Sequence, residues 1–236
     1  MSRHHQARRP VGNAANLRYA MESLRAIRKQ HVLGLLHCDI KPDNMLVSSK
    51  PNTQEMYLKG SQFGRTYADR MKNGELVMKR VAVEREPKRK TLLYCSVNFH
   101  LRKEPSRVDD MYSWLFMMTH FVHPLPWAAI GEEEEMLRVK RETMHRYFHE
   151  MNPFIARVYG SIFEMLESYS PSTIPDYFTA FIIFSAWKMS ISRNSPRIPA
   201  TLTWRSLRCA LVFQANTVLQ FAPSNSRNST NVAMNI

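Results

Sequence analysis

Residues 35–47 read LLHCDIKPDNMLV, and the eight positions from 37 to 44 carry His37, Cys38, Asp39, Lys41, Asp43 and Asn44. An imidazole, a thiol, carboxylates, an ammonium and an amide are groups that can do chemistry if a fold turns them toward one point. Two plainer readings compete. Asp, Pro and Asn favour turns, so DIKPDN alone can also be read as a simple solvated turn. Cys38 beside the Asp39 carboxylate invites a nucleophilic role, but no partner that would generate its thiolate is identifiable.

The elements around this stretch decide how it is held. Leu17, Ala20, Met21, Leu24 and Ile27 recur at three- and four-residue steps, which predicts an amphipathic helix ending near Gly34, directly before the loop. MLV at 45–47 and MYL at 56–58 flank the turn-rich SSKPNTQE, which predicts a hairpin. Residues 62–105 are polar and basic with no clear period. DMYSWLFMMTHF from Asp110 to Phe121 is apolar on nearly every side, as a helix in the middle of a domain would be. GEEEEMLRVKR sets acids at a helix start and bases further along, which suits the macrodipole and predicts a Glu134–Arg138 pair. Ile155, Val158, Tyr159, Ile162, Phe163 and Leu166 outline a further amphipathic helix, and IPDYFTAFIIF a last one. The expectation is a mainly α body with one small hairpin.

A helix, then His37-Cys38-Asp39-Ile40-Lys41-Pro42-Asp43-Asn44, then a hairpin, then Gln62-Phe63-Gly64, resembles the protein-kinase order H-R-D-x-K-x-x-N followed by D-F-G. TLLYCSVNFH, SRVDDMYSW and LPW follow in the order found in the casein kinase one family, including its tau-tubulin kinase branch. IPDY at 174–177 fits that family's last helix, so the likeness covers roughly residues 13–186. The resemblance implies a kinase-like C-lobe and ATP-dependent phosphoryl transfer to Ser or Thr of a protein substrate. Carried over, Asp39 is the catalytic base, Lys41 sits near the transferred phosphate, Asn44 is a nucleotide-site residue and Mg²⁺ ligand, and His37 packs under the loop.

The departures are specific. Cys38 replaces the Arg that pairs with a phosphorylated activation segment. Gln62 replaces the D-F-G Asp, and a neutral amide is a poor ligand for Mg²⁺. Lys90 and His123 stand where the family has glycines. The seven glycines nowhere form G-x-G-x-x-G, and about a dozen residues precede the first helix. The expectation is therefore a C-lobe with the N-lobe absent, either a truncated kinase or a pseudokinase, with ATP and Mg²⁺ binding impaired. The alternative is a non-catalytic interaction module for an acidic or phosphorylated protein.

Charge bears on the partner. Lys and Arg outnumber Asp and Glu by 33 to 20 in 236 residues, giving +13, which favours acidic partners. MKRVAVEREPKRKTLLY, at 78–94, reads either as a solvated loop or as a seat for an acidic group through charge-assisted hydrogen bonds. Nucleic acid is disfavoured because the run has no interleaved aromatics to stack bases. After Asp176 there is no acid, while Lys188, Arg193, Arg197, Arg205, Arg208 and Arg227 follow. The expected organisation is a basic tail at 1–12, the lobe at 13–186 and a basic tail with a disordered end at 187–236. Three scattered cysteines, no secretory signal and no apolar run of membrane-spanning length point to a cytoplasmic or nuclear protein. Trp114, Trp127, Trp187 and Trp204 are expected in core or turn positions.

Overall fold

The computed structural model describes residues 13–48, 55–60, 63–70, 76–78 and 92–192. Gln62, Lys90, Trp204, Cys209, most of the 78–94 basic segment, the N-terminal tail and residues 193–236 lie outside these. The architecture is mainly helical, as the periodicity predicts. Helix α1 (Asn13–Val32) leads into β1 (Leu35–Leu36), and a 3₁₀ turn at Pro42–Asn44 closes the loop before β2 (Met45–Val47). The strands β3 (Met56–Leu58), β4 (Arg65–Thr66), β5 (Ala68–Arg70) and β6 (Leu76–Met78) come next. The rest is helical: α2 (Val97–His100), α3 (Arg107–His120), α4 (Glu133–Glu150), α5 (Pro153–Ile155), a π-helical stretch Ala156–Gly160, α6 (Ser161–Glu167) and α7 (Tyr177–Ser192). Helix α7 runs on past residue 186.

The expected hairpin forms, with Met45 opposite Leu58 and Val47 opposite Met56. It is joined by two further antiparallel pairs, β1 with β4 and β5 with β6. The segment 62–105, which shows no readable period, supplies three of these strands and α2. Strands of two or three residues are too short for alternation to register.

Helix α3 is the centre. Met111, Trp114, Leu115, Phe116, Met117 and Met118 are fully buried, because every face of α3 meets another element. It starts three residues earlier than the apolar run suggests, since Ser106 and Asp109 form a capping box that satisfies the first free amides. Trp114 Nε1 donates to Ser23 Oγ at 2.9 Å, tying α3 to α1. Trp127 Nε1 donates to the Leu93 carbonyl at 2.9 Å. Trp114, Trp127 and Trp187 are core residues, and truncating such a ring typically costs about 3–5 kcal/mol.

On α4 the acids do stand at the helix start, but the predicted Glu134–Arg138 pair is replaced. Arg138 instead bonds Glu135 at 2.6 Å and Glu142 at 2.7 Å. The i,i+3 and i,i+4 neighbours on its own stripe offer both carboxylates at once, so the guanidinium fork spans them.

Candidate active site

The loop is hung between two fixed ends. Gly34 has φ +79°, and a Cβ there would lie 2.4 Å from the Ala68 carbonyl oxygen, so only glycine lets α1 turn into β1 beside β5. At the other end the 3₁₀ turn, begun by Pro42, delivers Asn44 back under Asp39. Asn44 Nδ2 donates to the Asp39 backbone carbonyl at 2.8 Å and to its Oδ2 at 2.9 Å. Lys41 Nζ stands 3.0 Å from the same Oδ2. The three residues singled out in the sequence thus meet at one carboxylate oxygen. Asp39 and Lys41 remain partly open to solvent, at 12% and 21% of the side chain. The cleft in front of them is walled by Tyr94, Cys95 and Phe99 from the far side.

His37 lies under the loop, buried to 2%. Its Nδ1 accepts from the Asp39 amide at 3.2 Å, which leaves Nε2 as the ring's donor to the Lys59 carbonyl at 2.7 Å. Cys38 takes the left-handed conformation at φ +60°, which a non-glycine residue keeps only when its surroundings hold it. Its side chain packs with Leu36, Tyr67 and Ala68.

What holds that strained corner is Asp110, to which the sequence reading gave no role. Asp110 Oδ2 accepts from the His37 amide at 2.7 Å and Oδ1 from the Cys38 amide at 2.8 Å. Oδ2 also meets His31 Nε2 at 3.0 Å, while the Tyr177 hydroxyl bonds His31 Nδ1 at 2.5 Å. Burial alone would raise the Asp110 pKa, but the His31 hydrogen bond, with His31 and His37 nearby, holds it below the ordinary carboxylate value. Asp110 stays an anion and accepts from both strained amides.

Lys140 is the second residue the sequence misled on. GEEEEMLRVKR reads as a solvated, dipole-matched helix, yet Lys140 is completely buried and burial pushes it down to about 7. Its Nζ reaches the Leu92 carbonyl at 2.9 Å, the Cys95 carbonyl at 2.7 Å and His100 Nε2 at 3.0 Å. The segment that faces Asp39 across the cleft is therefore pinned to α4 by one ammonium. A signal was available: Lys140 falls on the stripe Met136, Met144 and Phe148 at four-residue steps, an apolar stripe interrupted by one charge.

This pinning makes the fold sensitive to acid. Burial first, then the charges of Lys140 and Arg102, push His100 down to about 3 from 6.5. The unfolded chain thus binds a proton below pH 6.5 that the folded chain refuses until about pH 3. The stability that His100 contributes is fully present above 6.5 and lost as pH falls through that window. Urea unfolding at pH 7.5 and pH 4 should show this slope in the native protein, and His100→Gln should remove it. Equal slopes in the two proteins would mean that His100 takes up its proton while folded.

The donor set for a hard divalent cation is thin. Asn44 presents one amide oxygen, Oδ1, and no group of three His, Cys, Asp or Glu side chains able to hold a metal occurs among the described residues. Mg²⁺ binds through one or two carboxylates plus phosphate oxygens, so these residues by themselves do not make its site.

No protein-family model matches the chain. Curated relatives do. Over 164 residues the chain is 27% identical to serine/threonine-protein kinase spe-6 of Caenorhabditis elegans, covering 66% of this chain and 41% of that protein. A second Caenorhabditis elegans protein, named a putative serine/threonine-protein kinase, is 33% identical over 118 residues, covering 49% and 34%. A probable serine/threonine-protein kinase of Dictyostelium discoideum is 28% identical over 130 residues, covering 54% and 25%. The chain carries a protein-kinase-like domain. It spans less than half the length of these relatives. The mainly helical fold of this kinase-like domain suits the C-lobe expected from the motifs, and no helix among the described residues is long and apolar enough to cross a membrane.

Proposed function

We propose that the kinase-like domain is the C-lobe of a casein-kinase-one-type Ser/Thr protein kinase of the tau-tubulin-kinase branch, impaired in phosphoryl transfer by Gln62. The observation that carries this reading is the convergence of Lys41 Nζ and Asn44 Nδ2 on Asp39 Oδ2. In that reading a substrate Ser or Thr hydroxyl lies against Asp39, which takes up its proton as the new O–P bond forms and the bond to the departing ADP oxygen breaks. Lys41 faces the transferring phosphoryl group, and its charge becomes more valuable as negative charge shifts between the two oxygens. Asn44 keeps the Asp39 carboxylate from rotating away. ATP and Mg²⁺ are the co-substrate and cation of this reaction class.

A second reading, favoured by Gln62, keeps the lobe and drops the chemistry: the domain holds an acidic or phosphorylated protein without transferring phosphate. Mg-ATP separates the two. A ligand that binds only the native state must raise its melting temperature by mass action. With Gln62 in place and no G-x-G-x-x-G in the sequence, low-millimolar Mg-ATP should leave the melting temperature unchanged. A saturable rise of several degrees would show a working nucleotide site and end the impairment. Saturable binding of an acidic phosphoserine peptide, measured by fluorescence anisotropy without nucleotide, is the result the second reading requires.

A further inference from the structure

On the opposite side of Asp109 from the loop cleft, a cavity of about 340 Å³ opens between α2, α3, α4 and the end of α6. Its size falls in the range of small-molecule pockets, about 300–1,000 Å³. Val97, Val108, Tyr112, Phe116, Met144 and Leu166 line it. Three charged side chains, Asp109, Arg141 and Glu167, also line it, and they differ in one respect: the Asp109 carboxylate accepts from the Ser96 hydroxyl and from the Ser106 amide and hydroxyl. The Glu167 carboxylate already accepts from the Tyr112 hydroxyl. Arg141, exposed on α4, makes no hydrogen bond or ion pair with any described residue.

We propose that this cavity binds a small aromatic carboxylate, its ring among Tyr112, Phe116 and Met144 and its carboxylate on Arg141. Aromatic walls and a thioether favour a flat, polarizable ring. A guanidinium fork matches a carboxylate in two parallel hydrogen bonds, which a neutral amide cannot form. A cationic ligand is disfavoured because both carboxylates that could receive it, Asp109 and Glu167, already accept hydrogen bonds from neighbouring residues. The site shares only Asp109 with the loop cleft and stands whether or not the domain transfers phosphate.

The probe is 2-naphthoate, titrated calorimetrically against 2-naphthamide of the same shape. The expected result is saturable one-site binding of the carboxylate, with the amide weaker by about tenfold or more. Arg141 lies on the surface of α4, so Arg141→Ala should fold normally and bind the two probes equally weakly. Met144→Trp, which fills the cavity, should bind neither. Absence of saturable naphthoate binding at low-millimolar concentration overturns the proposal, and so does undiminished binding to Arg141→Ala. If Met144→Trp fails to fold, the Arg141→Ala comparison decides by itself.

Discussion

Asp110→Ala should lose about 3–5 kcal/mol of unfolding free energy, the cost of removing one partner from a buried charged network. Asp110 is buried to 2%, and its carboxylate holds the His37 amide, the Cys38 amide and the His31 ring. Removing it strands two buried backbone donors and takes from Cys38 the hydrogen bond that helps hold its left-handed conformation. Asp110→Asn separates charge from shape: its amide oxygen can still serve one donor while its NH₂ group opposes another, so about half the loss remains. Urea unfolding with an unchanged m-value is the measurement. A loss below about 1 kcal/mol for Asp110→Ala would show that the loop keeps its shape without this carboxylate.

The second large effect is chemical. With a casein-kinase-one-type N-lobe joined ahead of Asn13 and Gln62→Asp introduced, Mg-ATP-dependent phosphorylation of an acidic protein substrate should become measurable. In that fusion, native Gln62 should cost on the order of 3 kcal/mol of transition-state stabilisation, roughly a hundredfold in rate, because a fixed charge beside the transferring phosphoryl group is lost. Asp39→Asn should remove the remaining rate, since Lys41 and Asn44 then face a group that cannot take up a proton. Labelled-phosphate transfer measures all three proteins. A fusion that folds, binds nucleotide and stays inactive with Gln62→Asp would favour the interaction-module reading.

Much of the candidate site was legible because its chemistry is local. Asp39, Lys41 and Asn44 lie within six positions, and a turn begun by Pro42 is enough to fold the amide back onto the carboxylate. The β2–β3 hairpin and the buried α3 were readable for the same reason: turn residues and an unbroken apolar run act over a few residues. By itself the sequence determined the order of the elements, the residue types at the loop and the neutral amide at Gln62. Tertiary structure decided what holds them. Asp110 is 73 positions from the amide it binds at His37, and Tyr177 is 146 from His31. Lys140 reads as one more solvated charge until α4 packs onto residues 92–100. Only then does burial remove its water and leave two carbonyls and an imidazole as its partners. Periodicity records which face of a helix is apolar, not which distant polar group that face will meet.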